Sequence, residues 1–161
     1  MNIIDCLQER GLIEAVTSEE LKKLCEKPLR LYIGFDPTAD SLHLGSLVGI
    51  VILRWFEKFG HTPVVVLGGA TGRIGDPSGK STERPLLDIP AIQSNVKRIR
   101  RHFEDILEKP VIVNNDDWLK NLNYIDFLRD IGRHFSVNRM LSFESVKMRL
   151  DRDQPLSFLE F

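Results

Sequence analysis

Thr62-Pro63-Val64-Val65-Val66-Leu67 is an unbroken run, mostly apolar and β-branched, followed at once by Gly68-Gly69. β-Branched side chains favour extended backbone, and a short run without polar alternation predicts a strand buried on both faces of a parallel sheet. Upstream, Leu44 to Phe59 repeats apolar residues at helical spacing (Leu47, Ile50, Val51, Leu53, Trp55, Phe56) and stops at Gly60. Before that helix, Leu29 to Phe35 (LRLYIGF) reads as another strand, joined to it by the turn-rich loop Asp36 to Leu42 with Pro37. Downstream, Pro90 to Leu107 predicts a second long helix, Val111 to Val113 a third strand, and the tail beyond Asn123 is largely helical in pattern. Strand, helix, strand, helix, strand predicts an α/β chain: a Rossmann-like, doubly wound parallel sheet with right-handed crossovers, of the kind that binds nucleotides.

Residues 1 to 27 read as helical, with Leu7, Leu12, Ile13 and Val16 on one side. Thr17-Ser18-Glu19-Glu20 is a helix-start signal ahead of Leu21 and Leu24. The expected organisation is an N-terminal helical segment, 1–28, and a partial Rossmann-like domain, 29–161. A length of 161 residues suffices for one domain with a real core, and 42% hydrophobic against 28% charged residues is ordinary for a soluble protein. No apolar run approaches the ~20 residues that span a bilayer, and the acidic start Met1 to Arg10 lacks the pattern of a signal peptide. Cys6 and Cys25 have neither disulfide-framework nor metal-ligand spacing, so the expected home is a reducing cytoplasm. A net charge of −1 argues against a general nucleic-acid coat, since affinity for phosphate backbones comes from clustered Lys and Arg. The apolar end, Pro155 to Phe161, lacks a terminating signal, so the chain is read as truncated, with more chain or a partner expected to cover it.

In open α/β sheets ligands bind beyond the carboxyl ends of the strands, and both unusual loops fall there. The first, Gly34-Phe35-Asp36-Pro37-Thr38-Ala39-Asp40-Ser41-Leu42-His43-Leu44-Gly45-Ser46, sets a His and a Gly at the start of a long helix. A helix N-terminus offers free N–H groups and partial positive charge to a phosphate. Gly45 admits a ring or ribose close to the backbone, and His43 is a donor for charge developing on a phosphate. The competing reading is a capping loop with a satisfied His. The second loop, Gly68 to Ser81, holds five glycines and ends Gly79-Lys80-Ser81. A P-loop needs a glycine five positions before Gly79, where this chain has Ile74, and the G-x-G-x-x-G dinucleotide pattern fails as well. What is left is the Asp76 carboxylate, suited to a substrate ammonium, beside Lys80 and Arg84, cations suited to a polyphosphate leaving group. A solvated loop is the alternative.

The segment Gly34 to Gly45 resembles the first signature of class I aminoacyl-tRNA synthetases in its tyrosyl form. Gly68-Gly69-Ala70-Thr71-Gly72 through Asp76-Pro77-Ser78-Gly79 resembles the loop that follows it in that family. Phe127 to Gly132, His134 to Asn138 and Ser157 to Phe161 continue the likeness. The resemblance implies a ligase that activates tyrosine with ATP, brought in with Mg2+, and passes it to tRNA(Tyr), with no tightly bound cofactor, no resident metal and no membrane. The full-length protein is expected to be a homodimer. Carried onto this chain, the family's roles fall as follows. Tyr32 holds the phenol hydroxyl, Asp76 the ammonium, and Asp36 and Thr38 the substrate or the ATP phosphates. Gly34 and Gly45 lie against the nucleotide, and His43 stabilises the transition state at the α-phosphate. Lys80 and Arg84 grip the pyrophosphate. Ser46 stands where the signature has its second His. The second class I signature, of Lys-Met-Ser-Lys-Ser type, is absent, so the 161 residues alone are expected to be inactive or nearly so.

The remaining features have plainer readings. Lys97, Arg98, Arg100 and Arg101 are followed by Glu104, Asp105 and Glu108, which favours a solvated helix face over a tRNA contact. His61, His102 and His134 lack ligand spacing and read as structural, and Trp55 and Phe56 as core. Asn114-Asn115-Asp116-Asp117 reads as a turn or cap at the ligand edge. For Phe135 and Phe158, subunit contact and ordinary core packing stay open. So do two other functions: a nucleotidylyltransferase sharing the fold, and a synthetase-like module that binds without catalysis.

Overall fold

A computed structural model describes residues 2–74, 87–151 and 157–158. Strands β1 (Arg30–Phe35), β2 (Thr62–Leu67) and β3 (Val111–Asn114) form one parallel sheet in the order β1-β2-β3. Helices α3 (Leu44–Lys58) and α4 (Ile89–Ile106) make the two crossovers. Strand-by-strand progression in one direction is one βαβαβ half of a nucleotide-binding fold. The three expected strands and the two expected crossover helices fall within a residue or two of their predicted bounds, as periodicity arguments allow.

Side chains alternate across each strand, so Leu31, Ile33 and Phe35 of β1 share a face with Val65 and Leu67 of β2 and with Ile112 of β3. That face packs against Ile50 and Leu53 of α3 and Ile99 and Phe103 of α4. The Phe35 and Phe103 rings lie 4.7 Å apart in a tilted pair. The opposite face bears Tyr32, Gly34, Val64, Val66, Val111 and Val113 and is less buried, with Tyr32 74% exposed and Val64, Val66 and Val113 half-buried. The continuous apolar run of β2 therefore has one deeply buried side, Pro63, Val65 and Leu67, and one only half-buried, which corrects the expectation of burial on both.

Local chemistry explains the helix bounds. The Asp88 carboxylate accepts the Ala91 N–H at 2.8 Å with Pro90 in the first turn, which starts α4. Gly60, at φ +85°, ends α3 in a conformation costly for any other residue. Another such glycine, Gly11 at φ +66°, stops α1 (Ile3–Glu9) early. The N-terminal stretch is thus not one helix but α1, a loop, and the single turn α2 (Leu21–Leu24). α1 seats Ile3, Ile4 and Leu7 against Phe56 of α3. Glu57 of α3 holds the turn that follows α4: its carboxylate accepts the N–H groups of Glu108 (3.1 Å) and Lys109 (2.8 Å) and pairs with Arg54 at 2.6 Å. Burial raises the Glu57 pKa, and these donors more than offset it, leaving the group below the usual carboxylate range.

Beyond β3 come the short helices α5 (Asp116–Leu119), α6 (Tyr124–Asp130), α7 (Val137–Leu141) and α8 (Glu144–Asp151). The tail is helical as expected, but it presents apolar groups outward. Ile125 is 66% exposed, Phe135 62% and Phe158 80%, so neither phenylalanine is packed in the core that the described residues form.

Candidate nucleotide and substrate site

Beyond the carboxyl end of β1 the chain turns through Asp36 to His43 and enters α3, enclosing a cavity of about 530 Å³. Its wall contains Gly34, Asp36, Thr38, His43, Gly45 and Ser46, all six of the residues singled out for the nucleotide. The loop is pinned from outside by α4. Asn95 Nδ2 donates to the Pro37 carbonyl at 3.0 Å, and Arg98 pairs with Asp40 at 2.8 Å. Part of the basic run on α4 thus holds the loop, while Arg100 pairs with Glu104 along the helix.

α3 begins at this wall without a side-chain cap and without an acid in its first turn. The Ser46 N–H already bonds the His43 carbonyl at 2.9 Å. That leaves the earlier N–H groups of the first turn and the positive end of the dipole facing the cavity, and an anion is the ligand they favour. A Cβ on Gly45 would stand 3.0 Å from Cε1 and Nδ1 of His43. Glycine at position 45 is thus what lets the imidazole fold down over the helix start.

The second loop reaches the site through a hydrogen-bonded lattice that local sequence signals did not indicate. Gly68 donates its N–H to the Phe35 carbonyl at 2.9 Å, and residues Thr71–Arg73 form a single 3-10 turn. Asn114 Oδ1 accepts the Gly69 N–H at 3.0 Å, and Asn115 Oδ1 accepts the Ala70 N–H at 2.8 Å. Arg73 pairs with the largely buried Asp116. The Thr71 hydroxyl lies 2.8 Å from Asp36 Oδ1, which ties the two loops together. A Cβ on Gly68 would fall 1.9 Å from that same carboxylate oxygen, and one on Gly69 would fall 2.3 Å from Asn114 Oδ1. The glycine density therefore serves close approach of side chains to backbone. Asn114, Asn115 and Thr71 are the residues sequence reasoning undervalued. Their pairing spans more than 40 residues, and the only clue was the position of the two asparagines at a strand's carboxyl end.

Tyr32 lies outside the cavity wall, on the open sheet face it shares with Gly34. Asp76, Lys80 and Arg84 lie outside the described residues. Among the described residues no three His, Cys, Asp or Glu side chains gather to hold a metal. His61 is buried and accepts the Leu29 N–H through Nδ1 at 3.3 Å, with its pKa lowered by burial, whereas His102 and His134 are not buried. No described helix is long and apolar enough to cross a membrane.

Comparison with known proteins gives one consistent picture. The chain is 54% identical over 166 residues to the tyrosine–tRNA ligase of Protochlamydia amoebophila, covering 99% of this chain and 39% of that protein. To the chloroplastic/mitochondrial tyrosine–tRNA ligase of Arabidopsis thaliana it is 49% identical, covering 34% of that protein. Its fold matches the crystal structure of a C-terminally truncated Aspergillus nidulans mitochondrial tyrosyl-tRNA synthetase with a TM-score of 0.90 at 28% identity, covering 99% of this chain and 50% of that one. The chain spans well under half the length of these two curated relatives. Residues 23–161 match the tRNA synthetases class I (W and Y), and with a parallel βαβαβ sheet and a cavity at the start of its first crossover helix, the chain belongs to that family.

Proposed function

We propose that the chain is the N-terminal part of the catalytic domain of a tyrosine–tRNA ligase. The parent enzyme joins tyrosine to ATP and then transfers the tyrosyl group to tRNA(Tyr). The observation that carries the reading is the convergence of Gly34, Asp36, Thr38, His43, Gly45 and Ser46 on one cavity at an uncapped helix N-terminus. The names of the relatives favour tyrosine within the W and Y family.

In the first step a carboxylate oxygen of tyrosine attacks the α-phosphorus of ATP. The bond from that phosphorus to the bridging oxygen breaks, and pyrophosphate leaves with the electron pair. ATP enters as its Mg2+ complex, the ion being part of the substrate. In the second step a terminal ribose hydroxyl of the tRNA attacks the tyrosyl carbonyl and AMP departs. The protein needs no covalent intermediate for this, and rate comes from position and from charge complementarity that is stronger in the transition state. His43 donates to the α-phosphate oxygens as charge shifts onto them, and Gly45 gives the nucleotide a flat approach. Asp36 and Thr38 orient the reactants, and Ser46 supplies a neutral donor where the family signature has His. Tyr32 and Asp76 hold the two ends of tyrosine, and Lys80 and Arg84 take the pyrophosphate. A pocket that pairs a substrate hydroxyl rejects the analogue lacking it, because its own polar groups are then left unpaired.

The exposed apolar tail supports a homodimer of the full-length protein formed around Phe135 and Phe158. Two free, buried cysteines, Cys6 and Cys25, suit a reducing cytoplasm. The 161 residues alone are expected to exchange little or no pyrophosphate, because they lack the second class I signature.

The test is ATP–pyrophosphate exchange by the longest available chain containing this sequence, with tyrosine, phenylalanine and tryptophan in parallel. Exchange with tyrosine alone is expected. Exchange with tryptophan alone would move the chain to the other branch of its family, and none with any amino acid would favour a binding module.

A further inference from the structure

Three hydrogen bonds at the carboxyl edge of the sheet fix the direction of a single proton. The Ala70 N–H can only donate, so the group of Asn115 facing it at 2.8 Å is the carbonyl oxygen Oδ1. That sets the amide's orientation and turns Nδ2 toward the Thr71 hydroxyl, 3.0 Å away. Nδ2 can only donate as well, so the Thr71 oxygen accepts from it, and the lone hydroxyl proton is left for the Asp36 carboxylate at 2.8 Å. Asn115 is buried, at 7% exposure, so solvent does not compete freely for its amide. Asp36 uses Oδ1 for this bond, and Oδ2 has no partner among the described residues. The carboxylate also lies against the backbone of Gly68, where even a methyl group would not fit. Asp36 is thus confined on one side by backbone and held on another by an oriented donor, and it forms part of the cavity wall.

We infer that Thr71 is the positioning residue that aims the Asp36 carboxylate into the nucleotide and substrate cavity, and that the Asn115 amide steers the hydroxyl that does so. The inference rests on the proposed function only for what Asp36 then contacts; the aiming itself is a property of the fold. A relay from β3 through the glycine-rich loop to the loop after β1 makes the site a joint product of all three strand ends.

The test compares Thr71→Val, which keeps the shape and removes the hydroxyl, with Thr71→Ser, which keeps the hydroxyl, in the longest available chain. Tyrosine-dependent exchange is expected to fall about tenfold in kcat/KM for T71V, the effect of about 1.4 kcal/mol, and to stay within about threefold for T71S. The decisive arm is a double-mutant cycle with Asp36→Asn. If Thr71 acts through Asp36, T71V changes kcat/KM by less than about twofold once Asp36 is already altered. Equal, additive losses in both backgrounds would overturn the inference while leaving the ligase reading intact. Crystal structures of T71V and T71S give a readout independent of activity. Asp36 is expected to keep its conformation in T71S and to swing away in T71V, and an unmoved carboxylate in T71V would overturn the inference even if the wild type had no exchange activity at all.

Discussion

Replacing Gly68 by alanine adds one methyl group, and the structure says where it must go. Gly68 is not among the glycines with positive φ, so alanine adopts its backbone without strain and the effect is purely one of space. The new Cβ would lie 1.9 Å from Asp36 Oδ1 and 2.6 Å from Thr71 Oγ1. Relief to a 3.0 Å approach requires a displacement of about 1.1 Å. Gly68 is itself held by its bond to the Phe35 carbonyl, so the carboxylate is the group that yields. Misplacing a substrate-orienting group by about 1 Å costs on the order of a hundredfold in rate. The Gly68→Ala protein is therefore expected to lose about that factor in tyrosine-dependent pyrophosphate exchange, with near-wild-type far-UV circular dichroism. Exchange within threefold of wild type would show that Asp36 has no role that depends on its position, and the reasoning from close approach would be wrong.

Other consequences follow from single contacts. His43→Ala should lower kcat for exchange by about 10²–10³, the loss of one donor to developing charge, with little change in KM for tyrosine; a purely KM effect would contradict the assignment. Glu57→Gln removes a charge that accepts two backbone N–H groups and an Arg54 bond. It should cost about 2–3 kcal/mol in urea unfolding of the chain. Because the folded Glu57 pKa is depressed, wild-type stability from this group is fully present above the unfolded value of roughly 4.3 and is lost as pH falls through the folded pKa. The E57Q penalty should therefore shrink below about pH 4, and an equal penalty at pH 3.5 and 7 would count against it. His61 is also depressed, by burial, and its Nδ1 must stay unprotonated to accept from Leu29. Its contribution is complete above the unfolded value of roughly 6.5 and declines as pH falls from there toward the folded pKa. Wild-type stability should drop over that window and His61→Asn should flatten the drop; identical pH profiles would remove His61 from the account.

Strands and long helices were legible because period and composition agree. Val64-Val65-Val66 is a short β-branched run between Pro63 and Gly68, which favours a strand, and Leu47, Ile50, Leu53 and Phe56 repeat as a helix face. The helix-start loop was legible as a position at the sheet's ligand edge, but its Gly and His alone left a capping loop open, and the resemblance to class I synthetases was what favoured a nucleotide site. Two readings failed for physical reasons. The pattern from Leu7 to Val16 suggested one helix, but Gly11 takes a left-handed conformation that outweighs periodicity. The β2 run suggested two-sided burial, but apolar composition does not say what packs on each side, and Val64 and Val66 are only half-buried. The polar lattice of Thr71, Asn114 and Asn115 was legible only as a position at the strand edge. Which backbone N–H an asparagine reaches is decided by the register of three parallel strands, and no local pattern encodes it.

The most direct measurement is a crystal structure of the longest available chain with a non-hydrolysable tyrosyl-adenylate analogue. The account predicts the adenosine against Gly45, the acyl-phosphate mimic beside His43 and the start of α3, and the phenol directed toward Tyr32 on the open sheet face. An analogue bound elsewhere, with the cavity behind Asp36 and His43 empty, would contradict it.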